Sequence, residues 1–196
     1  MLVPNKMQHV ICTGNVGDQY QELCGLAPNV CMVQGDFDLE YDFPPTQVVQ
    51  VGQFRIGVLH GHQMLPYGGT GSSKATTAGD DDEDDDDNVD MSVLDQWRRK
   101  LGVDILITGN THQNSVRADD GHYFINPGSI TGAFSSTLDM VTPSFILLAV
   151  QESKLTCYVY ELVNDEVEVT KTEFTKPAPA DASSSGNPAL LQSLLA

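Results

Sequence analysis

At 196 residues the chain is long enough for one domain with a substantial core, because a domain of this size buries about 70% of its unfolded surface. The formal net charge is −17, and removing the nine negative charges of the run between Asp80 and Asp90 leaves −8. The ten Lys and Arg residues are scattered. This distribution excludes a nucleic-acid-binding protein, since phosphate backbones are bound by clustered basic residues.

The cysteines lie in or beside apolar segments and have no CxxC spacing, which is typical of buried free thiols in a reducing compartment. They are Cys12, Cys24, Cys31 and Cys157. We recognise neither a signal peptide nor an apolar run of about 18 residues. We therefore expect a cytosolic protein that reaches a membrane only through its partners.

Four short apolar runs are each followed by polar residues, as expected of strands that deliver side chains to a site. The pairs are His9–Cys12 with Thr13-Gly14-Asn15, 30–33 with Gly35-Asp36-Phe37-Asp38, 53–59 with His60-Gly61-His62, and 103–108 with Gly109-Asn110-Thr111-His112. Ligands in open α/β sheets collect beyond the carboxyl ends of the strands, so the pattern predicts one cleft at these four ends.

The segments between these strands predict two helices and a hairpin. Residues 15–26 have the spacing of a helix, and Gly25 and Pro28 end it. Residues 47–51 and 53–59 are expected to pair as a hairpin across Gly52. The second helix starts near Asp90, with Val93, Leu94, Trp97 and Leu101 on one face, and stops at Gly102.

The remaining sequence predicts an antiparallel meander and two disordered segments. Strands are expected at 115–117, 122–125, 145–151, 155–162 and 166–174. A Gly/Ser-rich and acidic insertion, 68–90, interrupts a domain of residues 1–176, and 177–196 is expected to be a disordered tail. In that tail, Leu190, Leu191, Leu194 and Leu195 are compatible with a short binding helix as well as with a disordered segment.

The polar residues of the predicted cleft have the chemistry of a metal site. A two-metal hydrolase needs a bridging carboxylate and imidazole ligands around two metals about 3.5 to 4 Å apart. His60, His62, His112 and Asp36 are suitable, and mixed sets of this kind bind Zn or Mn. Each histidine alone is equally compatible with a hydrogen-bonded structural role, and only the collective pattern favours a site.

The ordered motifs TGN, GDFD, LHGHQ, GNTH and NPGS resemble the calcineurin-like metallophosphoesterase family, and within it most closely the small subunits of retromer. The resemblance runs from about Leu2 to Pro177 and is interrupted by the acidic insertion. It implies an α/β fold, the metallophosphoesterase-like αββα sandwich.

Carried over residue by residue, the resemblance implies a degenerate site. Asn15 stands at the bridging aspartate, Asn110 replaces a histidine ligand, and Phe37 stands at the histidine that protonates the leaving group. We therefore expect no catalysis and no required cofactor, with only weak, vestigial binding of Zn or Mn. The implied vestigial ligands are Asn15, Asp36, His60, Asn110 and His112.

The family's first strand, which carries a GDxH motif, has no counterpart here. That strand is central in the family's sheet, so its absence would leave backbone donors and acceptors unpaired on both neighbours. We expect a truncated gene model or an incomplete piece of a longer chain rather than a natural short form. A natural chain of this kind would be unstable alone.

The resemblance also implies partners. Met64, Leu65 and Tyr67 fall where the family contacts the large α-solenoid retromer subunit, vacuolar protein sorting-associated protein 35. A second patch would bind regulators such as Rab GTPase-activating proteins and sorting nexins, although its residues are equally compatible with the meander core. The patch consists of Leu2, Leu147, Tyr158, Tyr160 and Val169.

The expected function is that of a non-catalytic scaffold in endosome-to-Golgi retrograde transport, on the cytosolic face of endosomes. The alternative is a metal-dependent phosphodiesterase with a degenerate two-metal site, which the histidine cluster motivates.

Overall fold

The computed structural model describes residues 6–64, 91–135 and 138–176. The predicted insertion at 68–90 and tail at 177–196 lie outside this part of the chain. In the described ranges no helix is long and apolar enough to cross a membrane. The elements in chain order are β1 (His9–Cys12), α1 (Tyr20–Cys24), β2 (Asn29–Met32), β3 (Thr46–Val51), β4 (Phe54–Leu59), α2 (Met91–Leu101), β5 (Ile105–Ile107), β6 (Asn114–Asp119), β7 (His122–Pro127), β8 (Ser144–Gln151), β9 (Lys154–Val163) and β10 (Glu166–Thr175).

The described strands form three sheets. The largest has the order β3-β4-β5-β7-β6, in which β4, β5 and β7 are parallel and the two edge strands are antiparallel to their neighbours. The meander β10-β9-β8 is antiparallel, and β1 pairs with β2 in parallel. The predicted α/β architecture, with a βα beginning and an antiparallel end, is confirmed.

The large sheet is buried on both faces, because its central strands are continuously apolar. Ile105 and Ile107 point into a core that residues of all three sheets share, while Leu106 between them points to the opposite face. There it packs with Leu94 of α2 and with Phe124 of β7. The two-residue period of β5 and β7 therefore divides the core into two layers, one on each side of the sheet.

The first helix is shorter than predicted. A 3₁₀ turn at Gly17–Gln19 leads into α1, which ends at Cys24 instead of residue 26. Asn15 cannot start the helix, because its φ of 57° is left-handed and its backbone N–H donates to the Asp38 carboxylate. Helix α1 also has no buried residue.

The other predicted elements are confirmed with small shifts of their ends. Strand β5 is shorter than the predicted 103–108, and β2 starts one residue earlier than expected. The hairpin turns have left-handed residues, as tight turns require, at Gly52, at Asp120-Gly121 and at Asn164-Asp165.

The four cysteines are free, but they are not all buried. Burial raises the pKa of Cys31 to about 12 and that of Cys157 to about 11, so both thiols are protonated and inert at neutral pH. The expectation of burial is wrong for Cys24, which is exposed on α1.

Strands β1 and β8 each pair on one side only within the described chain. An apolar groove of about 840 Å³ lies between them. Strand β8 reads SFILLAVQ, a run typical of a strand buried on both faces, yet its residues from Phe145 to Val150 are only partly buried.

Candidate functional site

The polar residues after β1, β2 and β4 meet in one cleft, as the strand ends predict. The side-chain nitrogen of Asn15 lies 2.9 Å from Asp36 Oδ1 and 3.2 Å from His60 Nε2. His60 is only 3% exposed, whereas Asp36 lies at the surface. Three of the five expected ligands are thus brought into direct contact.

The orientation of the Asn15 amide follows from its third contact. The backbone N–H of Phe37 donates to Asn15 Oδ1 at 3.0 Å, so the amide NH₂ must point to Asp36 and His60. One of its hydrogens meets the carboxylate and the other meets the imidazole. A neutral donor therefore links the carboxylate of Asp36 directly to the imidazole of His60.

Asp38 holds the loops after β1 and β2 together. This buried carboxylate accepts backbone N–H groups from Asn15 at 2.6 Å, from Val16 at 2.9 Å and from Gly35 at 2.9 Å. Sequence analysis noted Asp38 only as part of GDFD and missed this role. A signal was present, since an aspartate that follows a glycine in a turn commonly accepts nearby backbone N–H groups.

Two glycines allow these loops to cross. A Cβ on Gly35 would overlap the Asn15 side chain, and a Cβ on Gly14, whose φ is 110°, would lie 2.6 Å from the Gly35 nitrogen. Only residues without side chains permit this approach, which places the Asn15 amide over Asp36.

The His60 imidazole is held in its neutral form. Its Nε2 accepts from the Asn15 amide, so Nδ1 carries the proton and donates to His62 Nδ1 at 3.0 Å. Burial lowers the pKa of His60, and His62 and His112 lower it further, while Asp36 and Asp38 oppose this effect. A protonated ring would carry an N–H at Nε2, and this donor would face the amide NH₂ of Asn15, which is also a donor.

The GNTH loop after β5 closes the other side of the cleft. Asn110 and His112 have left-handed φ values of 71° and 61°. His112 Nδ1 donates to the Ala133 carbonyl oxygen at 2.9 Å, and Asn126 of the NPGS motif donates to the Gly109 carbonyl oxygen at 3.1 Å. Within the described ranges, no group of three or more His, Cys, Asp or Glu residues is placed to hold a metal ion.

The residues expected to contact the large subunit are only partly described. Met64 ends a 3₁₀ turn, His62–Met64, and packs half-buried against the core layer of Leu59 and Leu106. Leu65 and Tyr67 lie outside the described residues.

The expected regulator patch lies on the outer face of the meander. Tyr158 pairs with Leu147, and Tyr160 pairs with Val169 and stacks on Phe145 with ring centroids 4.7 Å apart. The alternate residues of β9, such as Cys157, point into the core. These four residues are thus half-buried or exposed rather than central to the core, and Leu2 is not described.

Sequence analysis missed an apolar rim around the cleft. Phe37 is 81% exposed and Leu39 is 84% exposed on the loop after β2. Across the cleft, Phe134 follows Ala133, the hydrogen-bond partner of His112. The sequence signal was a run of apolar residues in loops rather than in strands or helices. We define the apolar rim as Phe37, Leu39 and Phe134, all of which are exposed.

Asn15→Asp tests whether the amide lets the cleft hold together without a metal. The variant loses the two donors to Asp36 and His60 and adds a carboxylate beside Asp36, so we expect a loss of about 1 to 3 kcal/mol in the free energy of unfolding without metal. Added Mn²⁺ should raise its melting temperature more than that of the parent. The matched control is Asn164→Asp, which adds the same charge in the β9–β10 turn. Equal metal responses of Asn15→Asp and the parent would contradict this role of the amide.

The lowered pKa of His60 predicts a pH dependence of stability. The unfolded chain, with a pKa near 6.5, takes up the proton more readily than the folded chain, so protonation favours unfolding. The contribution of neutral His60 is complete above 6.5 and is lost as the pH falls toward the folded-state pKa. Urea unfolding should therefore show a difference in the free energy of unfolding between the parent and His60→Gln that shrinks as the pH falls below 6.5. His9→Gln is the control, and a pH-independent difference for His60→Gln would refute the prediction.

Comparison with known proteins identifies the family. Residues 2–153 match the calcineurin-like phosphoesterase superfamily domain. Vacuolar protein sorting-associated protein 29 of Schizosaccharomyces pombe is 32% identical over 183 residues, which cover 90% of this chain and 87% of the relative.

Two solved structures extend this similarity. Vps29 of Entamoeba histolytica in complex with zinc is 39% identical with a TM-score of 0.72, covering 86% of this chain and 83% of that one. Vps29 of Chaetomium thermophilum in complex with a cyclic peptide is 33% identical with a TM-score of 0.68, covering 90% and 85%. The chain belongs to the calcineurin-like phosphoesterase superfamily and, within it, to the family of vacuolar protein sorting-associated protein 29.

Proposed function

We propose that this chain is a non-catalytic scaffold subunit of the retromer cargo-recognition complex. It binds the large α-solenoid subunit, vacuolar protein sorting-associated protein 35, and supports endosome-to-Golgi retrograde transport from the cytosolic face of endosomes. The observation that carries the proposal is a cleft whose polar groups satisfy one another inside an exposed apolar rim. Family membership supports the complex to which the subunit is assigned.

The arrangement of the cleft argues against hydrolysis. A phosphodiesterase of this fold needs metals to generate a hydroxide and an acid to protonate the leaving group. Here the Asn15 amide lies between Asp36 and His60. Phe37, at the expected position of the catalytic histidine, has no proton to donate and points into solvent.

Residual metal binding is part of the proposal, but only as a weak property. Asp36, His60 and His112 retain donor atoms, and a zinc complex exists for the Entamoeba histolytica relative. An ion at this cleft would have to displace the Asn15 hydrogen bonds without the charge compensation of a bridging carboxylate. Zn or Mn would therefore bind weakly through Asn15, Asp36, His60, Asn110 and His112.

The apolar rim has the properties of an interface core. Large exposed apolar side chains that are grouped, rather than scattered, mark protein-binding surfaces. The loop that carries Phe37 and Leu39 continues into a packed aromatic cluster, in which Tyr41 stacks on Phe43 at 4.9 Å and Tyr20 lies 5.5 Å from Tyr41. This packing pre-organises the loop, which reduces the entropy lost on binding.

The proposed interface with the large subunit extends from the apolar rim to the segment after His62. Met64 is the last described residue there, and Leu65 and Tyr67 follow it in the sequence. The regulator patch would form a separate contact on the meander, because Leu147, Tyr158, Tyr160 and Val169 share its outer face. Rab GTPase-activating proteins and sorting nexins are the partners assigned to that patch, together with Leu2.

Capture by the immobilised carboxyl-terminal half of the large subunit tests the proposal. The parent chain should be retained, and Phe37→Asp and Leu65→Asp should each weaken retention at least about tenfold, since each buries a charge in an apolar contact. Val48→Asp places the same charge on an exposed residue of β3, outside the rim, and should leave retention unchanged.

Circular dichroism melting of each variant separates lost binding from lost folding. Failure of the folded parent to be retained, or equal retention of the parent and both rim variants, would contradict the assignment.

A further inference from the structure

Strand β10 is the last strand of the meander, and most of it is exposed. Within the described ranges it pairs only with β9, along all ten of its residues. The residues from Glu166 to Lys171 are all exposed, with Val167 at 47% and Val169 at 49%. A strand of this kind presents a row of unpaired backbone donors and acceptors, to which another strand can be added.

The pairing of β10 with β9 decides which of its backbone groups point outward. The two-residue turn at 164–165 makes Val163 and Glu166 a hydrogen-bonded pair, so the even-numbered residues of β10 bond to β9. The N–H of Lys176, which donates to the Ser153 carbonyl oxygen at 2.8 Å, continues this series. The N–H and C=O groups of the odd-numbered residues therefore point away from β9.

One end of this outward edge is covered by the protein itself. The Thr175 carbonyl oxygen accepts from the Tyr123 hydroxyl at 3.0 Å, and the ring of Phe174 lies 4.4 Å from that of Tyr123. No strand of the described chain pairs with the rest of the edge. We define the free edge as the outward backbone groups of Val167, Val169, Lys171 and Glu173.

The outer face of the sheet beside the free edge is apolar. Val167 is paired with Leu162, and Val169 is paired with Tyr160, so all four side chains lie on this face. Leu162 is also exposed, at 42%. Apolar side chains on an added strand would therefore be buried against Val167 and Val169.

The opposite face beside the free edge is acidic. Glu166 and Glu168 alternate with the two valines and are exposed, and Glu168 lies directly across from Glu161. Like charges in this arrangement repel each other. The ammonium of Lys171 is instead bonded to Glu173, at 2.6 Å. Within the described ranges none of the first three carboxylates has an ion-pair partner, so cations on an added strand would relieve this repulsion.

We propose that the free edge of β10 binds an extended peptide in which basic residues alternate with apolar ones, and that the peptide joins the meander as a further strand. Its backbone pairs with the outward N–H and C=O groups. Its apolar side chains lie beside Val167 and Val169, and its Lys or Arg side chains lie beside Glu166 and Glu168, because side chains alternate between the two faces of a strand.

The charge of the chain disfavours a second copy as the occupant. Pairing of two β10 strands would bring together the carboxylates of both copies, in chains whose net charge is −17 each. The site also differs from the regulator patch, although Val169 belongs to both. The patch presents side chains on the outer face, whereas an added strand requires the backbone edge and the acidic face. The inference does not depend on the retromer assignment.

Fluorescence anisotropy with a labelled peptide of eight residues that alternates Val and Lys tests the proposal on the full chain. A peptide of four Val followed by four Lys has the same composition and should bind at least about tenfold more weakly, because it cannot place the two residue types on separate faces. Equal binding of both peptides, or no binding of the alternating one, would overturn the proposal.

Hydrogen–deuterium exchange locates the bound peptide. The alternating peptide should slow exchange of the outward amides of Val167, Val169 and Lys171 at least about tenfold, because pairing with an added strand protects them. Protection of these amides without peptide would refute the proposal, since another segment or a second copy would then cover the edge.

Variants of β10 separate strand addition from attraction by charge alone. Val167→Pro removes one outward N–H and no bond to β9, so it should weaken binding at least about tenfold, whereas Val167→Thr keeps the N–H and should not. Glu166→Lys with Glu168→Lys should also weaken binding at least about tenfold. Glu22→Lys with Glu40→Lys makes the same change of charge at exposed residues elsewhere and should leave binding unchanged.

A variant of the regulator patch distinguishes the two sites. Leu147→Asp changes the patch but no group of the free edge, so peptide binding should be unchanged, and circular dichroism melting shows that each variant is folded. Loss of peptide binding by folded Leu147→Asp, or full binding by folded Val167→Pro, would refute strand addition at β10. Neither result bears on capture by the large subunit, so the two proposals fail separately.

Discussion

The arrangement of the cleft depends on the side-chain amide of Asn15. Its oxygen accepts from the backbone of the β2 loop, and its nitrogen donates to Asp36 and to His60 on the neighbouring strand ends. These contacts join three strand ends through neutral or singly charged hydrogen bonds, each worth about 0.5 to 3 kcal/mol. Two metal dications bound in this cleft would create a far stronger electrostatic field than these hydrogen bonds do. They would need a carboxylate to compensate their charge. In this member of the phosphoesterase superfamily, hydrogen bonds among the side chains of the cleft thereby hold the strand ends together.

In the proposed function, the cleft and its surroundings serve recognition rather than hydrolysis. The polar centre is satisfied within the protein, so covering it with a partner leaves few unpaired groups, which would otherwise weaken the complex. Around this centre, Phe37 and Leu39 supply exposed apolar surface, and packed aromatic residues support their loop. In the proposed function, Phe37, at the expected position of the catalytic imidazole, is an anchor for protein contact.

The strands and the location of the cleft could be predicted because they depend on simple patterns. Continuous apolar runs such as Ile105–Ile107 specify buried parallel strands, and the polar residues that follow such runs must meet at one edge of the sheet. The start of α1 could not be predicted, because Asp38, far along the chain, takes the backbone N–H groups of Asn15 and Val16. Hydrogen bonds between residues more than 20 positions apart leave no signal in local helical periodicity. The exposure of Phe37 depends on a loop conformation that no periodicity encodes.

Hydrolysis of a generic aryl phosphodiester in the presence of Mn²⁺ or Zn²⁺ tests the central claim most directly. If the Asn15 amide has replaced the metal centre, the chain will give no turnover above buffer with the same ion. Turnover that depends on the metal and disappears on changing His60 or His112 would contradict the account, because it would require a working two-metal site in this cleft.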